Sequence, residues 1–159
     1  RTESKPGEGT CFSIYLPAVS ENDGFTPAAP PARIQPGSGK TVLIVDDEDS
    51  IRQIAQRTLE SFGYRTFIAT NGQQAITVYR EHRDEIDVVL TDMMMPVMDG
   101  PAAISRLVDI NPDIRIIATS GLPPERDFSQ AVRRNVREFL SKPYSAETLL
   151  TCLSAALDD

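Results

Sequence analysis

The chain has 159 residues, room for one ordinary domain with an appendage but not for two full domains. At 40% hydrophobic and 25% charged it reads as a soluble globular protein; no apolar run approaches a membrane span, and with a polar start (Arg1 to Gly9) no signal peptide is expected. The net charge of −7 falls wholly on residues 41–159, and an acidic domain without a basic stripe is a poor binder of nucleic acid.

Residues 1–17 begin with a glycine-punctuated turn, and residues 11–16 alternate as a short strand that Pro17 ends. Cys11 and Cys152 fit no metal or disulfide spacing and read as small apolar residues, which suits a cytoplasmic location. Residues 18–40 carry Pro27, Pro30, Pro31 and Pro36 among Ala, Gly and Ser, a linker composition that loosens at Gly37-Ser38-Gly39. A domain boundary is expected near Lys40.

From Thr41 the pattern becomes strand and helix in alternation. Thr41–Val45 is a β-branched strand. A helix capped by Asp49 or Ser50 runs to about Phe62, with Ile51, Ile54, Ala55 and Leu59 inward and Gly63 to stop it. Residues 64–69 form a second strand. Asn71 caps a helix through about His82 that buries Ala75, Ile76, Val78 and Tyr79. Residues 86–91 are the third strand, apolar enough to be buried on both faces. A helix over 101–110, with Ala102, Ile104, Leu107 and Val108 inward, ends at Asn111-Pro112. Residues 114–119 are the fourth strand. Pro123 and Pro124 suit the first turn of a helix reaching about Arg134, with Asn135 as a left-handed cap. The cluster Arg133, Arg134 and Arg137 reads as a solvated helix end. Residues 136–140 are the fifth strand and 145–157 the last helix.

Five such units predict an α/β fold, a doubly wound five-stranded parallel sheet with helices on both faces. Strand order 2-1-3-4-5 makes the first and third strands neighbours at the switch point, where open sheets keep their sites. The first strand runs into Asp46-Asp47-Glu48 and the third into Asp92, so carboxylates converge. Their repulsion calls for a cation, and a few oxygen ligands suit Mg²⁺ with retained waters. A solvated acidic loop with a helix cap is the plainer alternative for Asp46-Asp47. The fourth strand ends in Thr119-Ser120-Gly121 and the fifth in Ser141-Lys142-Pro143, adding hydroxyls and one cation at the same edge.

Residues 41–157 resemble the receiver domain of two-component response regulators. Val-Asp-Asp-Glu, Asp-Met-Met-Met-Pro-Val-Met-Asp-Gly, Thr-Ser-Gly and Lys-Pro stand in that family's order. The resemblance implies a flavodoxin-like fold in which Asp92 accepts a phosphoryl group from a phosphohistidine. Mg²⁺ would bind Asp47, Asp92 and the backbone carbonyl of Met94 directly, and Asp46 through water. Ser120 takes the place of the switch hydroxyl in preference to Thr119, and Phe139 that of the switch aromatic. A cis bond before Pro143 would turn Lys142 toward Asp92. Apolar Met94 and Leu122, two beyond Asp92 and Ser120, imply a phospho-form lasting minutes or longer. Phosphorylation would remodel the face of the fourth helix, fifth strand and fifth helix, a possible dimer surface.

A second resemblance lies at Ser-Lys-Pro-Gly-Glu-Gly-Thr-Cys-Phe-Ser-Ile-Tyr-Leu-Pro, which is similar to the last glycine-rich box and closing strand of a histidine-kinase ATP-binding domain. It implies a remnant of that domain at 1–17, a linker at 18–40 and a receiver at 41–159, from the C-terminal part of a hybrid histidine kinase. The remnant strand, its edges unpaired, is expected to be disordered or loosely docked. His82, the only histidine, sits away from the cleft, so the chain is expected to be no kinase itself, although its parent would be one, in some cases membrane-anchored. With the chain ending at Asp159, no DNA-binding output is expected after Leu157. Its partners would be a histidine kinase core or a histidine phosphotransfer protein. A free-standing regulator acting by protein contact is the alternative. A Mg²⁺-dependent phosphatase of similar sheet order would need a second Asp where Met94 stands.

Overall fold

Runs of Val, Ile and Leu ending in acidic or small polar residues make strands covered on both faces, because only a sheet sandwiched by helices accommodates apolar side chains in both directions. The computed structural model describes residues 2–5, 7, 9–13, 15, 37–121 and 130–158, without the side chains of 130–132. It divides into two units, Arg1–Pro30 and Pro31–Asp159.

In the first unit β1 (Thr2–Lys5) pairs antiparallel with β2 (Gly9–Phe12), Glu3 facing Cys11 and Lys5 facing Gly9. The strand expected over 11–16 is corrected in both position and pairing. It starts at Gly9 and has a partner, because Gly7 and Gly9 take the left-handed backbone that lets the chain fold back on itself. Cys11 is exposed, so it is no core residue. The end of that strand at Leu16 and Pro17, and the linker prolines, lie outside the described residues.

The second unit contains β3 (Thr41–Val45), α1 (Asp49–Ser61), β4 (Arg65–Ala69), α2 (Gly72–His82), β5 (Val88–Asp92), α3 (Gly100–Ile110), β6 (Arg115–Ser120), α4 (Gln130–Asn135), β7 (Glu138–Ser141) and α5 (Ala146–Leu157). The sheet order is β4-β3-β5-β6-β7, every pair parallel, which is the expected 2-1-3-4-5. Alternate strand residues point to opposite faces. Leu43, Val45, Val89 and Ile116 pack with Tyr79, Ile104 and Leu107 from α2 and α3. Val42, Ile44, Leu90 and Ile117 pack with Leu59, Leu149 and Leu153 from α1 and α5. Among the described residues no helix is long and apolar enough to cross a membrane.

Several local expectations shift. The helix preceding Ser61 is N-capped by Glu48 and not by Asp49 or Ser50; both lie inside its first turn, where Asp49 accepts from Arg52 and Gln53. On α1 the stripe facing the sheet is Arg52, Ala55 and Leu59, while Ile54 is 66% exposed. On α3 the buried alanine is Ala103, not Ala102, because the Asp99 cap takes the Ala102 amide and starts the helix at Gly100. Asn71 caps α2 as expected, and Ser145, expected as the first residue of the last helix, is its N-cap. Gly63, at φ +82, closes α1: its amide donates to the Glu60 carbonyl and that of Tyr64 to the Leu59 carbonyl, the two bonds of a Schellman turn. Asn135 is the last residue of α4 rather than a left-handed cap, and Pro123 and Pro124 lie outside the described residues.

Where the chain joins this sheet it is tied at several points. The amides of Gly37 and Gly39 donate to the carbonyls of Phe62 and Gly63 at 2.7 and 3.2 Å. Asp87, just ahead of β5, accepts from the Thr41 amide at 2.9 Å and from the Lys40 ammonium at 2.7 Å.

Candidate functional site

Register builds the site. Val45 pairs with Thr91, Asp92 with Thr119 and Ser120 with Ser141, so four strands end at one edge of the sheet, β5 one residue beyond β3 and β6 one residue beyond β5. Each of β5, β6 and β7 ends one residue later than expected, which makes Asp92, Ser120 and Ser141 the terminal strand residues. Asp46 follows β3 directly and Lys142 follows β7.

The carboxylates of Asp46, Asp47 and Asp92 converge, with oxygens within 4.8 Å of one another. Asp46 and Asp92 are buried and Asp47 is exposed. Lys142 reaches between them: its Nζ donates to Asp46 Oδ2 at 2.6 Å and to Asp92 Oδ2 at 2.9 Å. Burial alone would pull the Lys142 ammonium down, but the hydrogen bonds and charges of Asp46 and Asp92 outweigh it and hold its pKa above the ordinary lysine value. The Lys142–Pro143 bond is cis, as expected. The second oxygen of Asp46 accepts from the Glu48 amide at 2.9 Å, and Asp92 Oδ1 accepts from the Met94 amide at 3.3 Å. An all-oxygen set with few protein ligands and an open side has the chemistry of a magnesium site.

Thr119 and Ser120 are both buried beside this cluster. Thr119 Oγ1 donates to the Thr91 carbonyl at 3.4 Å, and its own carbonyl accepts from the Met93 amide, so Thr119 is engaged with β5. Phe139 on β7 is half-buried and packs against the core on the α2–α3 face. The three methionines after Asp92 separate in role: Met93 and Met95 are buried, and Met94 is 65% exposed. Leu122 lies outside the described residues. His82 stacks on Phe67 with ring centroids 4.1 Å apart, and its Nδ1 lies 2.9 Å from Glu85, which is outside the cluster of Asp46, Asp47 and Asp92.

Two features of the β5–α3 loop shape the site. Gly100 is packed so closely that a Cβ there would lie 2.5 Å from the Asp92 carbonyl oxygen and 2.6 Å from the Met93 Cα. Val97, fully in solvent, takes a left-handed φ of 70°. Sequence reasoning also missed Arg52, which is buried behind the acidic loop with Nη1 2.6 Å from the Asp46 carbonyl oxygen and Nη2 2.9 Å from Asp49 Oδ1. The signal available was its place on the Ala55–Leu59 stripe. Beside Lys142 an apolar hollow of about 410 Å³ is lined by Ile51, Ile54, Pro143 and Tyr144.

This sheet, with an acid cluster and a lysine at its carboxyl edge, defines a class, and comparison with known proteins gives its family. The sequence pattern of the response regulator receiver domain matches residues 42–154, and the chain belongs to that family, the receivers of two-component signalling. The sensor kinase CckA of Brucella abortus is 34% identical over 164 residues, 98% of this chain but 17% of the kinase. The chemotaxis protein CheY of Thermotoga maritima is 32% identical over 117 residues, 73% of this chain and 96% of its own length. Among solved structures, the CheX–CheY–BeF3–Mg complex of Borrelia burgdorferi matches with a TM-score of 0.67 at 28% identity, covering 73% of this chain and 87% of that one. Receiver domains act with histidine kinase or phosphotransfer partners and hold Mg²⁺ at an acidic pocket; this chain has an acidic cluster in Asp46, Asp47 and Asp92.

Proposed function

We propose that this chain is the phosphoacceptor module of a phosphorelay and that Asp92 is the residue phosphorylated. The observation that carries the reading is the Lys142 ammonium held between Asp46 and Asp92, with Asp47 on the open side of the same cleft. A carboxylate oxygen of Asp92 attacks phosphorus while the P–N bond of a phosphohistidine breaks, and the electron pair leaves with the imidazole. The product is an acyl phosphate. Because the nucleophile is already a carboxylate, the step needs alignment and charge neutralisation, not a general base. Lys142 brings positive charge, and the Ser120 hydroxyl donates to a phosphoryl oxygen. Asp47, Asp92 and the Met94 carbonyl would hold Mg²⁺ directly and Asp46 through water, and the ion would supply charge neutralisation for the transferred oxygens. The Borrelia complex, a structural relative solved with Mg, supports this choice of metal.

Phosphorylation then works as a switch. Ser120 is drawn toward the new charge, Phe139 turns into the space, and the α4–β7–α5 face changes, offering a partner or dimer surface. The apolar hollow at Ile51, Ile54, Pro143 and Tyr144 suits one face of an amphipathic helix that brings the phosphohistidine to Lys142 and Asp92. We read residues 1–17 as a kinase ATP-domain remnant, 18–40 as linker and 41–159 as receiver. The sensor-kinase match supports an origin in a hybrid histidine kinase, since it extends over 98% of the chain instead of stopping at 42–154. On that reading the module works in the cytoplasm, is no kinase by itself, and meets proteins in preference to nucleic acid. The 96% coverage of the Thermotoga chemotaxis protein favours a second reading, a free-standing regulator that uses the same site.

The decisive experiment offers a radiolabelled phosphohistidine donor and Mg²⁺ to the chain and to Asp92→Asn. Label is expected on the unaltered chain alone; a labelled Asp92→Asn would refute the assignment.

A further inference from the structure

We propose that Arg52 is a positioning residue, which fixes the turn carrying Asp46 and Asp47 in the shape a divalent cation requires. The inference rests on the reading of Asp46, Asp47 and Asp92 as Mg²⁺ ligands. Arg52 occupies a costly place. It is 7% exposed, and it lies in the first turn of α1, where the helix macrodipole disfavours a cation. Its Nε is buried without a hydrogen-bond partner, a penalty that an arginine recruited only for packing would avoid. An apolar residue would complete the Ala55–Leu59 stripe at lower cost.

The contacts that hold Arg52 explain why it is there. Nη1 donates to the Asp46 carbonyl at 2.6 Å, Nη2 donates to Asp49 Oδ1 at 2.9 Å, and the Arg52 amide donates to the Glu48 carbonyl at 3.1 Å. Together these bonds span the whole turn between β3 and α1. Asp46 is held at four atoms: its amide by the Ala69 carbonyl, Oδ1 by the Glu48 amide, Oδ2 by Lys142 and the carbonyl oxygen by Arg52. With the main chain fixed on both sides of it, Asp47 is presented to the cleft without further ordering. Groups that orient ligands in this way tune metal affinity although they never touch the metal. The guanidinium fork is what the task needs, because one planar group must reach two acceptors set apart.

Calorimetric titration of Mg²⁺ into the unphosphorylated full chain tests this. Arg52→Met is expected to bind Mg²⁺ about tenfold more weakly, and Arg52→Lys, which keeps the charge without the fork, about fourfold more weakly. Urea unfolding of each variant confirms that a folded protein is being titrated. Should Arg52→Met fail to fold, Arg52→Lys decides alone. A folded Arg52→Lys or Arg52→Met that binds Mg²⁺ within about twofold of the unaltered chain overturns the positioning role. Failure of the unaltered chain to bind Mg²⁺ is a different result, which removes the ligand assignment and this inference with it.

Discussion

Val97 holds a β-branched side chain at φ 70° while 86% exposed, so it bears backbone strain with no packing in return. Val97→Gly is expected to raise stability by about 1 kcal/mol in urea unfolding, since relief of the left-handed strain exceeds the extra chain entropy of glycine. Lys142 carries the opposite balance. Lys142→Met leaves Asp46 and Asp92 facing each other, and is expected to cost roughly 2 kcal/mol in metal-free buffer at neutral pH, less than for a fully buried pair because Lys142 keeps some solvent. The folded pKa of Lys142 is raised, so this contribution is complete below the ordinary lysine value and lost as pH rises through the folded one. The difference between the two proteins in unfolding free energy should therefore hold steady from neutral pH and shrink only in strongly alkaline buffer. At this scale the acids and Lys142 were legible because each follows an apolar strand. Arg52 was not, since a charged residue on a helix reads as solvated until its neighbours are known. Nor was Val97, whose residue type gives no sign of a positive φ.

Among the elements, the β5–α3 loop is the most tightly constrained. Gly100 starts α3, and a Cβ there would run into the Asp92 carbonyl and the Met93 Cα, backbone that cannot move without moving Asp92. Gly100→Ala is expected to lower stability by about 2 kcal/mol and to reduce phosphoryl uptake as well, measured by urea unfolding and by labelling. Both effects come from one clash. A variant that unfolds more readily yet accepts phosphate normally would show that the loop yields elsewhere. Element type was readable throughout the described part of 41–157, because periods of 2 and 3.6 residues differ clearly there. The ends were less so. Hydrogen bonding continues through Asp92, Ser120 and Ser141, polar residues that hydropathy assigns to loops, because neighbouring strands of equal reach supply partners. The inward face of α1 was misjudged for a related reason: Ile54 is apolar but turns to solvent beside the hollow, where a binding surface and a core residue look alike in sequence.

At the scale of the molecule, the order of the five strands was legible because right-handed crossovers leave few alternatives. The β1–β2 hairpin was not: its side chains are exposed on both strands, so no buried face marks the register. The two cysteines report on the same contrast. Cys11 is exposed, whereas burial, with the nearby Glu138 charge, pushes the Cys152 thiol up to about 12. A maleimide at neutral pH is expected to modify Cys11 promptly and Cys152 only after unfolding, which peptide mass spectrometry reads directly.

The ties at residues 37–41 have a mechanical meaning. Any load that arrives along the chain from its N-terminal side meets the Gly37 and Gly39 amides, then the double grip of Asp87 on Lys40 and Thr41. That anchorage is at the opposite end of β3 from Asp46, five residues or about 16 Å away. Tension is passed to the α1–β4 turn and to the foot of β5 before it reaches the carboxylates. The cleft is thus strain-relieved, as a cable is clamped ahead of its terminals, and whatever tethers this receiver can tug on it without pulling Asp92 out of line.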